Sequence, residues 1–184
     1  MSTLSRILLA GVFAGSMWAQ QDFNRNALTV GVGSAVPAGL DYLDAGTAVE
    51  LNYGYRFTRF IQADLGFESS FNKDYRNYQA KFNTGLTTTT NFFIPAGGRI
   101  VIPLRDGRIE PSIGLGGVYH YDKGDSYQPN QGGVYGVAGA SYALDSEHRH
   151  RVGLSLRYMN IMSRGTPHPQ WVNLFGEYTY SWGQ

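Results

Sequence analysis

Seven charged side chains in this sequence alternate with apolar residues and could act together as a set of ion pairs. They comprise four carboxylates and three guanidiniums, namely Glu50, Arg56, Asp64, Glu68, Arg99, Arg157 and Glu177. If they share a narrow space of low dielectric they must pair, because an unpaired buried ion is strongly destabilising. Such a set can form a structural plug, or an ion path or gate if the pairs exchange. We predict the structural charge network.

Other chemistries have weaker support. The chain has no cysteine, which excludes disulfides and thiolate metal sites. His148 and His150 could bring two imidazoles to one face for a metal ion. No carboxylate is predicted beside them as a third ligand, however, and they fit equally well as residues of a charged turn. The Gly-x-Gly pairs lie inside alternating runs rather than before a helix, so they do not fit a phosphate loop. We predict no catalytic residue, no metal and no cofactor. The net charge of +1 indicates no nucleic-acid partner.

The charged residues lie in runs of strict alternation, which indicate β-strands because successive side chains leave a strand on opposite faces. The clearest run, at 49–57, reads VELNYGYRF. Eight such runs are spaced along the chain, at 28–36, 49–57, 61–69, 96–104, 111–121, 134–144, 152–158 and 172–182. Pro95 cannot donate to a ladder and predicts a bulge before the fourth run. No helical pattern separates the runs, so we predict an antiparallel sheet joined by hairpins.

The connections between these runs alternate in length. The short ones are at 58–60, 104–108 and 145–150, and the long ones are at 37–46, 70–84, 122–133 and 160–170. One end of the sheet therefore carries tight turns and the other carries loops, as in transmembrane β-barrels.

Three features indicate that the apolar faces point outward, toward lipid. Glycines on the polar faces would weaken a solvated sheet but fit a lumen barely wide enough for side chains. These glycines are Gly31, Gly33, Gly54, Gly66, Gly114, Gly116, Gly139 and Gly153. The three lysines all lie in predicted loops. Aromatic residues lie where two interfacial belts are expected, at Phe57, Tyr142 and Trp182 near the turns and at Phe71, Tyr121 and Trp171 near the loops. We therefore predict an all-β, eight-stranded antiparallel up-and-down transmembrane β-barrel. A soluble lipocalin-like binding barrel is the alternative.

The N-terminus has the pattern of a secretory signal. Arg6 supplies a positive charge, residues 7–15 form a short apolar core, and small residues follow. This run is too short to cross a bilayer as a helix, which takes about 20 residues. We predict a signal peptide at 1–19, a barrel domain at 20–184, and a location in the bacterial outer membrane.

The runs PSIGLGGVYHY, YGVAGASYAL and EYTYSW resemble the OmpA/OmpX-like class of small outer-membrane barrels, and the similarity spans the chain after the leader. The resemblance implies the same fold and an interior network of ion pairs.

One segment, RYMNIMSRG, resembles the seventh strand of lipid A deacylase barrels, which carries a catalytic His-x-Ser pair. The position that matches the histidine is Asn160, and the position that matches the serine is Met162. An amide is no general base and a thioether is no acyl acceptor. We therefore predict that the protein is not an enzyme.

Taken together, these patterns predict a non-enzymatic, monomeric barrel in contact with outer-membrane lipid. Its expected role is structural, or interaction with surface ligands through the loops at 70–84 and 122–133. These loops mix Tyr, Asn, Gln, Lys and Asp, which suits polar contacts. A narrow transport pore is one alternative, and an inactive deacylase-like barrel is another.

Overall fold

The computed structural model describes residues 23–41, 43–74, 87–123, 130–162 and 168–183, and these residues form eight β-strands. The strands are β1 (Asn26–Ala38), β2 (Gly46–Arg56), β3 (Ile61–Asp74), β4 (Thr87–Val101), β5 (Ile109–Lys123), β6 (Asn130–Ala143), β7 (His150–Ile161) and β8 (Gln170–Trp182). Each strand pairs antiparallel with the next, and β8 pairs with β1, so the sheet closes into a barrel without edges. The predicted fold class is confirmed. Within the described ranges, no helix is long and apolar enough to cross a membrane.

The apolar faces of the strands point outward and the polar faces point into the lumen. Along β2, Leu51 and Tyr53 are 47% and 40% exposed, whereas Glu50 is 6% exposed. A slip of one residue would exchange the two faces, so this alternation fixes the register. At each of the eight predicted lumen glycines, an added Cβ would lie 3.0 Å or less from another atom, whereas at outward Gly117 and Gly136 the nearest atom is 3.9 Å away. The lumen is therefore crowded and the outer face is not.

The predicted bulge at Pro95 is absent, so that prediction was wrong. β3 and β4 pair at Leu65–Ala96 and again at Glu68–Phe93, three residues further along both strands, so no residue is inserted. On the other side of β4, pairing with β5 continues through Pro95 and Val118. Because proline has no backbone N–H to donate, β3 and β4 do not pair at Pro95 and at the residue before it. The register of the two strands is nevertheless the same on both sides of this gap.

Short and long connections lie at opposite ends of the barrel. We call the end with residues 57–60, 102–108 and 144–149 the turn end, and the end with residues 39–45, 75–86, 124–129 and 162–169 the loop end. The strands run further into the loop end than the sequence predicted, because β3 continues to Asp74 and β5 to Lys123. Residues 75–84 and 124–129 of the predicted interaction loops lie outside the described residues, as does the predicted signal at 1–19.

The hydrophobic core lies inside the barrel, in its loop-end half. This apolar core consists of Ala35, Ala48, Phe93, Val118, Tyr135, Val137, Met159, Ile161, Trp171 and Phe175. Glycines and charged side chains were predicted in the lumen, whereas this apolar core was not. The prediction of Trp171 in an interfacial belt was wrong, since it is 1% exposed and points inward. The other five predicted belt residues lie on the outward face.

Candidate functional site

The charged residues of the lumen form three successive layers, the first of which lies at the turn end. Here the carboxylate of Glu110 on β5 meets two guanidiniums. Arg56 Nη1 donates to Glu110 Oε1 at 3.0 Å and its Nη2 pairs with Oε2, while Arg151 Nη2 lies 3.5 Å from Oε2. Arg151 also donates to the carbonyl oxygen of Gly107 at 3.1 Å and to Ser141 Oγ at 3.0 Å. This layer joins β2, β5 and β7 to the turn at 102–108.

Two members of this first layer, Glu110 and Arg151, were missed by the sequence analysis. Each precedes a predicted run by one residue, since those runs begin at 111 and 152. The alternation itself could have found them. Arg151 lies six residues before Arg157, and Glu110 lies four residues before the lumen glycine Gly114, so each is on the lumen-facing side of its strand. Charged residues next to a turn were assigned to the turn although they belong to the strand.

The second layer is centred on Asp64 of β3. Its Oδ2 accepts a hydrogen bond from Arg99 Nε of β4 at 2.9 Å, and its Oδ1 accepts from Gln62 Nε2 at 2.7 Å and Asn52 Nδ2 at 3.3 Å. Gln62 in turn accepts from Arg56 Nε at 3.1 Å, which links this layer to the first one. The aspartate is 7% exposed, and its charge is balanced by a single guanidinium.

The third layer, at mid-height, is organised by Arg157. Its guanidinium pairs with Glu68 of β3 at 2.6 Å and with Glu50 of β2 at 2.9 Å. Asn173 of β8 also donates to Glu68. Because Arg157 belongs to β7, these bonds cross the lumen and join opposite walls of the barrel. Arg157 is 2% exposed and Glu68 is fully buried, so each charge depends on the other for stabilisation.

A third carboxylate, Glu177, lies beside this layer. Gly31 of β1 pairs with Glu50 on one side and with Glu177 on the other, so the two carboxylates flank a residue without a side chain. A Cβ at Gly31 would lie 2.7 Å from Glu50 Oε1, which shows that Glu50 occupies the space above the glycine. Ser155 donates a hydrogen bond to Glu177. All seven charged residues chosen from the sequence thus lie on the lumen side, and the structure brings six of them into ion pairs.

The lumen is open to solvent at the turn end. A cavity of about 390 Å³ is lined by the first layer together with Arg59, His148 and Glu147. A second cavity of about 40 Å³ shares the first layer and reaches Arg99 and Glu177. Beyond the third layer, toward the loop end, the interior is filled by the apolar core. The ring of Trp171 packs edge-on against Phe93 at 5.3 Å between centroids, and Phe93 stacks on His120 at 4.8 Å.

The residues considered for other chemistry do not form a site. His148 lines the turn-end cavity, whereas His150 lies on the outward face, where its Nδ1 is 2.6 Å from Tyr178 Oη. In the part of the chain that the structure describes, no group of three or more potential ligands could hold a metal ion. Asn160 alternates with the inward-facing residues of β7, and Met162, one residue beyond the end of β7, is 59% exposed.

Comparison with known proteins agrees with this architecture. Residues 6–180 match the family model described as the outer membrane protein beta-barrel domain. The chain belongs to this family. An outer-membrane barrel keeps short turns on the periplasmic side and longer loops outside the cell, so the turn end faces the periplasm and the loop end faces the exterior. The outward apolar face contacts lipid, and the soluble alternative is excluded.

Several solved outer-membrane barrels have a similar fold. Neisserial surface protein A is 15% identical with a TM-score of 0.67, and the match covers 85% of this chain and 97% of that one. OprG from Pseudomonas aeruginosa is 14% identical with a TM-score of 0.58, covering 87% and 98%. Ail, the attachment invasion locus protein of Yersinia pestis, is 12% identical with a TM-score of 0.53, covering 86% and 100%. No curated protein matches the chain.

Proposed function

We propose that this outer-membrane barrel is a closed, non-enzymatic and monomeric structural protein that contacts surface ligands through its external loops. In this proposal the seven lumen charges named above, with Glu110 and Arg151, serve as a structural network. The observation that carries it is the succession of barriers along the lumen. The Arg157 layer joins opposite walls, and behind it the side chains of Trp171, Phe93 and Met159 are at most 1% exposed. Ions entering from the periplasm would have to break buried ion pairs and then enter an apolar core.

A role in surface interaction is favoured over a purely mechanical one by the architecture of the loop end. The three lysines of the chain are close to two long connections there: Lys81 lies in the connection at 75–86, and Lys73 and Lys123 lie at the ends of the strands that lead into the connections at 75–86 and 124–129. Ail, which shares the fold, is an attachment invasion locus protein and has been crystallised with the heparin analogue sucrose octasulfate. By analogy, we propose a polar or anionic surface ligand for this barrel.

The pore alternative gives a direct test. We expect the purified barrel to produce no stepwise current in a planar lipid bilayer, because the charge layers and the apolar core block its lumen. A heat-modifiable shift on a gel should accompany the measurement as proof of folding, and a larger porin in the same bilayer provides the positive control. Discrete, reproducible conductance steps from the folded protein would contradict the closed-barrel proposal.

The deacylase alternative is tested by lipid chemistry. Since Asn160 and Met162 offer neither a general base nor an acyl acceptor, cells that overproduce the barrel should contain lipid A of unchanged acyl-chain mass. Mass spectrometry of lipid A from overproducing and empty-vector cells measures this. Loss of one acyl chain only in the overproducing cells would show that the barrel is an enzyme.

A further inference from the structure

The mid-height layer of the lumen contains more negative than positive charge. Its three carboxylates, Glu50, Glu68 and Glu177, surround one guanidinium, that of Arg157. The first layer has one more guanidinium than carboxylates, and the second layer is balanced. When the three layers are taken together, one carboxylate therefore has no counter-charge. A buried group without a counter-charge is usually neutralised by a proton.

Glu50 is the carboxylate of this layer that has the least stabilisation as an ion. Its side chain is 2% exposed, and Arg157 Nη2 lies 2.9 Å from its Oε2. In the part of the chain that the structure describes, however, no donor is oriented to hydrogen-bond either oxygen of Glu50. Glu68 accepts a hydrogen bond from Arg157 Nη1 at 2.6 Å, and Glu177 accepts one from Ser155. A carboxylate ion without hydrogen bonds is costly to bury, whereas a protonated carboxyl group carries no charge and donates a hydrogen bond itself.

Glu177 of β8 is the acceptor that a proton on Glu50 requires. The side chains of the two glutamates lie within hydrogen-bonding distance of each other. Oε1 of Glu50 lies above Gly31, which separates the two glutamates in the sheet, while Oε2 faces Arg157. Two carboxylates that share a buried site cannot both be ionised easily, so such a pair binds one proton.

A proton fits this position better than a metal ion does, and it has a path to solvent. Among the residues that the structure describes, no group of three or more potential ligands could hold a metal. The cavity of about 40 Å³ extends from the first layer to Glu177, so the acceptor side of the pair is open toward the turn end. The ionisable groups around the pair are Arg157, Glu68 and, along this cavity, Arg99.

We propose that Glu50 and Glu177 hold one proton between them, with Glu50 Oε1 donating to the carboxylate of Glu177. The proton leaves the three layers without net charge, and Arg157 keeps Glu68 as its ionised partner. The barrel thus contains a proton-binding site that exchanges with the periplasm through the turn end. This inference does not depend on what the loops bind or on whether the lumen conducts.

Infrared spectroscopy of the folded barrel in lipid tests the proton directly, because a protonated carboxyl group has a carbonyl stretch that a carboxylate lacks. At pH 7 exposed carboxyl groups are ionised, so the band should correspond to about one carboxyl group. Glu50→Gln and Glu177→Gln should each remove it, since the amide then donates in place of the proton. Glu147→Gln is the matched control, because it removes an exposed carboxylate and should leave the band unchanged.

The pH dependence of unfolding gives a second measurement. Near neutral pH the folded barrel holds one proton more than the unfolded chain, so its stability should fall as the pH rises. Between pH 6 and pH 7, the unfolding equilibrium constant of the wild type should rise about tenfold relative to that of Glu177→Gln. Urea titrations measure this ratio, from which the groups common to both proteins cancel.

Three results would overturn the shared proton. They are the absence of the band from the folded wild type, a band that persists in both glutamine variants, and equal pH dependence of the wild type and Glu177→Gln. The second result would place the proton on another carboxylate, such as Glu68. If Glu177→Gln does not fold, as judged by gel shift, Glu50→Gln replaces it in the urea titrations.

Discussion

Replacing Arg157 with methionine should lower the free energy of unfolding by about 3–5 kcal/mol, the cost typical of breaking a buried ion pair from one side. Arg157 is the guanidinium that pairs with Glu68 at 2.6 Å and with Glu50 at 2.9 Å. Both carboxylates are nearly inaccessible to solvent, so neither can be hydrated when the guanidinium is removed. Urea unfolding of the barrel in lipid vesicles, followed by tryptophan fluorescence, measures the change.

Two further variants separate charge from packing in this experiment. Arg149→Met removes an exposed guanidinium that pairs with Glu147, and such pairs contribute at most about 1 kcal/mol. The triple variant Arg157→Met/Glu50→Gln/Glu68→Gln neutralises the carboxylates as well and should recover much of the lost stability. If Arg157→Met costs no more than Arg149→Met, the mid-height layer is not a structural network.

The second large effect is expected at Gly33. A Cβ there would lie 1.8 Å from the backbone carbonyl oxygen of Leu174 on β8, which no side-chain movement can relieve. Gly33→Ala should therefore force β1 and β8 apart at the seam that closes the barrel. We expect a loss of about 3 kcal/mol or more, at the upper end of overpacking effects, or a barrel that no longer folds. Heat-modifiable gel migration and urea unfolding distinguish these two results.

Gly176→Ala is the matched control, because it lies on the same seam but faces lipid. Gly176 pairs with Val32, next to the pair of Gly33 with Phe175, and the nearest atom to an added Cβ is 3.8 Å away. Alanine there should be neutral or stabilising by about 0.4–1 kcal/mol, since it restricts the unfolded chain. Equal destabilisation by both substitutions would mean that crowding of the lumen is not the cause.

The fold could be predicted from the sequence because the apolar residues of an alternating run can face either outward or inward, and the same choice applies to every strand. Once glycine and charge were assigned to one phase, the lumen positions of Glu50 and Arg157 followed without any knowledge of distances. The pairing of these charges could not be predicted in this way. Arg157 of β7 meets Glu50 of β2 and Glu68 of β3 across the lumen, and only the closure of the barrel brings these strands together.

The errors arose where the residue type suggested one side of a strand and the alternation assigned the other. Tryptophan is common at membrane interfaces, but Trp171 alternates along β8 in step with the inward-facing Asn173 and Phe175. It therefore points inward, because the pairing of β8 fixes the direction of each side chain. The hydrogen bonds from Asn72 to the backbone of Ala35 and Asp44 had no sequence signal either, since Asn72 lay inside a predicted loop. The alternation predicts on which side of a strand a residue lies, but it does not predict which side chains contact one another inside the lumen.

The ion pairs at mid-height bear on how this protein can evolve. Because Arg157, Glu50 and Glu68 fasten opposite walls well below the rim, much of the barrel's cohesion is independent of the external connections. Insertions and substitutions in those connections can then accumulate with little loss of stability. The exposed tips can therefore be remodelled many times over while the scaffold beneath stays the same.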